Sequence, residues 1–290
     1  SNIVNPSFKG DWIFPSTELL QTSNTKASAG NISKSVEIIQ KSLKDFGIQV
    51  TMGDVNIGPT VTQYTLKPHE GVKLSQITAR SNDLALALAA HPIRIEAPIP
   101  GKAAVGVEVP NKISAVVTLR EILETKEIKE AGSGGTLPLG RDVAGIPIVA
   151  DLYKMPHLLI AGATGSGKSV CINSTILSLL YQNSPNDLKL LLIDPKRVEF
   201  SMYNDIPHLL CPVITEPDKT VNGLKWAVNE MEKRYHILSE SHKRNIVEFN
   251  QSESVQKMPY IVIIIDELAD LMAQSANEVE AAIVRLAQMA

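Results

Sequence analysis

Cysteine is nearly absent: the 290 residues contain two, Cys171 and Cys211, with no CxxC spacing and no histidine paired to either. A disulfide framework and a cysteine-held zinc site are not indicated, and a reducing cytoplasm is the compartment that fits. Long apolar runs are also missing. The longest nearly unbroken ones, residues 84–90 and 261–265, fall far short of the ~18 that span a bilayer, so no membrane contact is expected of this segment. Residues 1–5 lack the basic stretch followed by an apolar one that marks a secretory signal. Nor is positive charge in excess. Twenty-eight Lys and Arg against 31 Asp and Glu give a formal charge of -3, which argues against a protein that coats nucleic acid through its net field. A channel gripping a duplex stays compatible, because a few basic loops act locally where attraction decays within a Debye length of ~10 Å. What is present is ordinary: 44% apolar and 20% charged residues, the proportions of a folded globular chain and not of a disordered, collagenous or coiled-coil one. The length is about twice that of a typical domain and predicts two domains.

The chain divides accordingly. Residues 1–31, with Pro6, Gly10, Pro15 and a Ser/Thr/Asn-rich run over 22–31, read as a linker with an apolar anchor at 12–14. Val36, Ile39, Leu43 and Phe46 recur at helical steps and Gly47 follows, which predicts an amphipathic helix over 33–46. Alternation over 60–66 predicts a strand, 75–90 a second helix, and 93–109 two strands around the turn Pro100-Gly101-Lys102. A closing helix over 119–128 has Thr118 as its cap. The glycine cluster Gly132-Ser133-Gly134-Gly135 marks the best boundary, near residue 135. The first domain, 32–135, is thus α+β. Beyond it, 158–161, 188–193 and 260–265 are apolar without alternation, as buried parallel strands are, and 169–181 and 218–239 have helical spacing. Strands alternating with helices predict an α/β domain over 136–290, its parallel sheet covered on both faces and its ligands held at the carboxyl ends of the strands.

The chemistry concentrates there. Gly162-Ala163-Thr164-Gly165-Ser166-Gly167-Lys168-Ser169 fits the phosphate-loop pattern between an expected strand and an expected helix. Its glycines allow successive N–H groups to converge on phosphates, and the helix start at Lys168 adds its positive dipole end. Lys168 is expected to reach the β- and γ-phosphate oxygens, and the Ser169 hydroxyl to coordinate Mg²⁺. The second half of the site is Asp266-Glu267, closing a buried strand: Asp266 to hold the magnesium, Glu267 to polarise the attacking water as general base. A water-activating glutamate favours hydrolysis over transfer to a small acceptor. Asp194-Pro195-Lys196-Arg197 ends the middle strand at the same sheet edge. Lys196 and Arg197 read equally well as phosphate sensors or as exposed charges, as do Arg234, Arg244 and Arg285. His157 reads as a packed or capping residue and Cys171 as a small buried one.

With Pro156-His157-Leu158-Leu159-Ile160-Ala161 before the phosphate loop, Val170 after it, Leu192-Ile193-Asp194-Pro195-Lys196, and Ile265-Asp266-Glu267-Leu268-Ala269-Asp270-Leu271-Met272, the chain resembles the FtsK/SpoIIIE DNA translocases of bacteria. The first half agrees through Gly58-Pro59-Thr60-Val61-Thr62-Gln63-Tyr64, Pro98-Ile99-Pro100-Gly101-Lys102 and Val107-Glu108-Val109-Pro110-Asn111, which look like the family's α subdomain. The resemblance implies a RecA-like P-loop β subdomain that binds ATP and Mg²⁺, with the nucleotide held by residues 162–170. It implies a homo-hexameric ring that pumps double-stranded DNA in chromosome segregation and cell division, alongside division-site proteins and a site-specific recombinase. It also implies a cytoplasmic position within a protein anchored in the bacterial inner membrane. Relatives continue past the position of Ala290 into another core strand, so the RecA-like unit is expected to be incomplete here. Two alternatives stand beside this reading: a related motor for protein (type VII) secretion or conjugation, and a nucleotide-binding assembly module without turnover.

Overall fold

A computed structural model describes residues 8–155, 157–252 and 256–290, which fall into two units. One comprises Thr17–Ala131 and Pro138–Val149; the other comprises 8–16, Gly132–Leu137 and Ala150–Ala290.

The first unit follows from one amphipathic helix and an alternating sheet. Its elements are α1 (Ile32–Asp45), β1 (Val50–Ile57), β2 (Val61–Pro68), α2 (Leu74–Thr78), α3 (Ser81–Leu88), β3 (Arg94–Glu96), β4 (Val105–Pro110), α4 (Leu119–Leu123) and α5 (Lys126–Lys129). Asn31 caps α1 by accepting from Lys34 N at 3.0 Å, and Gly47 at φ +75° takes the left-handed position beyond its end. The helix buries Ile39 and Leu43 with Tyr64, Leu66, Val105 and Val107 of an antiparallel sheet in the order β1-β2-β4-β3. Strand β4 is buried because β2 and β3 pair with its two edges. The expected helix over 75–90 is broken in two at Ala79–Arg80. There Arg80 N reaches back only to Ile77 O, closing a tighter turn, while its guanidinium takes Asp83 and the Phe46 ring. The expected helix over 119–128 is likewise two short ones. Thr118 and Glu121 form a capping box on α4, and Thr125 begins α5.

The second unit is α/β. Two strands, β5 (Thr136–Arg141) and β6 (Pro147–Asp151), pair with each other, with residues 138–149 counted in the first unit; the second then holds α6 (Lys168–Gln182), β7 (Leu188–Ile193), α7 (Pro217–Glu240), α8 (Ile246–Asn250), β8 (Tyr260–Ile265) and α9 (Leu268–Met289). Strands β7 and β8 are parallel, and Leu190 and Ile193 add parallel bridges to Leu209 and Ile214 on the other edge of β7. Flanked on both edges, β7 is buried throughout. Period-two alternation splits its side chains between two cores: Leu188, Leu190 and Leu192 with Ile172, Ile176 and Leu179 of α6, and Leu191 and Ile193 with Leu224 of α7 and Leu271 and Val279 of α9. Helices therefore cover both faces. Helix α9 is kinked at Ser275.

One expected strand is not formed. Residues 158–161 pair with no other strand among the described residues, and Leu158 and Leu159 are 43% and 81% exposed. An apolar run shows that a segment suits a sheet interior; without a neighbour for its backbone it remains extended chain. The glycine cluster is held in place: Asn183 Nδ2 donates to Gly134 O at 2.7 Å, so close that a Cβ on Gly134 would collide with the Asn183 amide. Of the stretch 1–31, residues 1–7 lie outside the described residues, and 8–16 strap onto this unit. Phe8 N donates to Asn186 Oδ1 at 2.8 Å, and the Trp12 ring meets Phe8 and His208 edge-on at 5.5 and 5.1 Å. No helix among the described residues is long and apolar enough to cross a membrane.

Candidate nucleotide site

Helix α6 is anchored by Ile172, Ile176 and Leu179, which fixes where its first turn sits. The chain enters it through an exposed loop, 162–167, shaped by glycine. Gly165 and Gly167 lie at φ +79° and +96°, and a side chain on Gly162 would strike Ser166 Oγ. Ser166 N donates to Ala163 O at 3.0 Å, so the loop folds back on itself before Lys168. Ala163 and Thr164 are exposed within this loop, and Val170 is exposed on the first turn of α6.

The acids arrive from the sheet. Parallel register aligns Ile193 with Ile265, and Asp266 N donates to Ile193 O at 3.1 Å, so Asp194 and Asp266 leave the two carboxyl ends side by side. Lys168 Nζ donates to Glu267 Oε2 at 3.0 Å and to Asp266 O at 3.2 Å, and stands 3.7 Å from Asp266 Oδ1. Lys196 lies 3.2 Å from Asp270 and 3.8 Å from Glu267. The Ser169 hydroxyl donates to Glu199 Oε1 at 2.9 Å. Glu199 is held by the fully buried Asp194, whose Oδ2 accepts from the N–H groups of Glu199 and Phe200 at 2.9 and 3.0 Å.

Five carboxylates, those of Asp194, Glu199, Asp266, Glu267 and Asp270, against two ammonium groups leave the site short of positive charge. Burial pushes the Asp266 carboxyl above its usual range; Lys168 opposes this, and Glu199, Asp194 and Glu267 add to it. The hydrogen bond to Glu267 holds the Lys168 ammonium above its ordinary value. Asp266 Oδ1 is buried with no hydrogen-bond partner, as is Asp194 Oδ1. A carboxylate oxygen in that condition is a hard-oxygen donor of the kind that suits a small divalent cation.

Lys168, Asp266 and Glu267 thus meet from positions nearly a hundred residues apart, Lys196 joins them, and the Ser169 hydroxyl bonds to Glu199. Arg197 stands in the exposed turn before Glu199 at φ +60°. Arg234 braces α7 to Glu230 and Pro259 O, Arg285 pairs with Glu232, and Arg244 N donates to Glu248. His157 is exposed, which excludes the packed half of its packed-or-capping reading, and Pro156 lies outside the described residues. Cys171 is exposed where a buried side chain was expected, because α6 turns Ile172 and not Cys171 to the core. Sequence reasoning gave no role to Glu199 or Asp270. For Glu199, the signal was a second acid six residues past the end of a buried strand.

A glycine loop feeding a helix, its lysine against paired acids of a parallel strand, defines the P-loop nucleotide-binding class. Within that class the chain belongs to the FtsK/SpoIIIE family, whose description matches residues 118–290, while that of the FtsK alpha domain matches residues 14–111. It is 50% identical over 288 residues to the DNA translocase FtsK of Clostridium tetani, covering 97% of this chain and 39% of that protein. It is 51% identical to DNA translocase FtsK of Clostridium acetobutylicum, over 96% of this chain and 37% of the relative. To DNA translocase SpoIIIE of Bacillus subtilis it is 46% identical, over 97% and 37%. The chain therefore spans well under half the length of these relatives.

Proposed function

We propose that the chain is the motor segment of an ATP-driven double-stranded DNA translocase that acts in chromosome segregation and cell division. The observation that carries this reading is the contact of Lys168 with Asp266 and Glu267 at the carboxyl end of β8, in a chain of this family. The division near residue 135 into an α subdomain and a RecA-like β subdomain is part of the proposal. So are a homo-hexameric ring, division-site partners with a site-specific recombinase, and a cytoplasmic position within a membrane-anchored protein. Motors for protein secretion or conjugation and a non-hydrolysing assembly module lose support, because the relatives are named DNA translocases.

The loop residues Gly162, Ala163, Thr164, Gly165, Ser166 and Gly167, with Lys168, Ser169 and Val170, bind the nucleotide. Ser169 Oγ and the Asp266 carboxylate hold Mg²⁺, a role that fits the unpartnered Asp266 Oδ1. When bound, the metal offsets charge on the β- and γ-phosphate oxygens. Lys168 trades its present bond to Glu267 for phosphate, which neutralises the incoming charge and frees Glu267 to accept a proton from the attacking water. Ring loops grip the duplex backbone, so binding is insensitive to sequence and sensitive to salt.

The test is ATP turnover by the whole protein with and without linear duplex DNA. DNA is expected to raise turnover many-fold, less so as salt increases, and Lys168→Ala is expected to abolish it. Glu267→Gln should slow it by roughly 10²–10⁴ while ATP still binds. Turnover indifferent to DNA would contradict the proposal.

A further inference from the structure

We propose that Glu199 is the positioning residue of the metal site: it takes the Ser169 hydroxyl proton in a hydrogen bond and so turns the oxygen's lone pairs toward the cation. The inference rests on the nucleotide reading above and goes beyond it, since Glu199 belongs to neither the phosphate loop nor the acidic strand end. A serine hydroxyl has one proton and two lone pairs. If the proton is free to rotate, it competes with a cation for the same space. With Ser169 Oγ donating to Glu199 Oε1 at 2.9 Å, that proton is committed away and the lone pairs are left to a ligand.

Glu199 is itself fixed. Asp194, with no exposed surface at the end of β7, accepts from the backbone N–H of both Glu199 and Phe200, and Phe200 is fully buried in the core. The turn after β7 is therefore pinned at its far side, and the carboxylate reaches Ser169 from a backbone that does not drift. The chain of contacts runs from sheet end to Asp194, to Glu199 N, to Ser169 Oγ, the arrangement by which outer carboxylates orient metal ligands.

The test measures how strongly Mg²⁺ tightens binding of a fluorescent, non-hydrolysable ATP analogue: the ratio of dissociation constants in EDTA and in Mg²⁺. Wild type, Glu199→Gln, Glu199→Asp, Ser169→Ala and the double variant Ser169→Ala/Glu199→Gln are compared, with thermal melts confirming that each is folded. Glu199→Gln is expected to shrink the ratio ten- to a hundredfold, and Glu199→Asp to fall between it and wild type. In the Ser169→Ala background, Glu199→Gln should change nothing further, because the residue acts only through that hydroxyl. An unchanged ratio in Glu199→Gln, or an undiminished effect in the Ser169→Ala background, would overturn the proposal. A wild type that binds no analogue in either buffer would instead remove the nucleotide reading, and this inference with it.

Discussion

Asp266 shows how much of a site is decided by the environment of one side chain. Its carboxyl is buried, one oxygen has no hydrogen bond, and three other acids crowd it. The fold therefore favours its protonated form. A carboxyl whose folded pKa is raised gives its full stabilisation below the ordinary value near 3.8 and loses it as pH climbs through the folded value, so at neutral pH without metal it is a liability. Asp266→Asn is expected to raise the melting temperature in EDTA by about 2–4 °C at pH 7.5, with the gain fading toward pH 4. A variant melting at or below wild type at pH 7.5 would contradict this. At this scale the sequence was informative where residues sit in a pattern: the nearness of Lys168 to Asp266 and Glu267 was legible from spacing. Glu199 was not, because its role comes from a turn that brings it back to a helix start thirty positions earlier, and no local period encodes that return.

Elements were legible in proportion to how local their causes are. Helices α1, α6 and α7 and strands β2, β7 and β8 follow from apolar spacing and caps. Residues 158–161 carry the same apolar composition as β8 yet form no strand, because a strand needs a paired backbone and composition does not supply the partner. Breaks in a helix, as at Arg80, depend on side-chain partners that spacing does not show. The segment 8–16 gives the opposite case. Its proline, glycine and polar composition read as linker, but Trp12 folds it down against Phe8 and His208. Trp12→Ala, which removes both ring contacts, is expected to cost about 1–3 kcal/mol in denaturant unfolding and to speed proteolysis of this segment. Unfolding and cleavage indistinguishable from wild type would show that the strap contributes nothing.

At the scale of the molecule, a formal charge of -3 leaves no net field to gather DNA. The proposed motor role therefore rests on the nucleotide site and not on bulk electrostatics. That site is also where the lysine of a glycine loop and a pair of acids far along the chain meet. Calorimetric titration of the 290-residue chain with ATP and Mg²⁺ tests this meeting most directly. The expected result is one nucleotide bound per chain, with the heat lost in Lys168→Ala. No heat from the wild type, or equal heat from Lys168→Ala, would contradict the account.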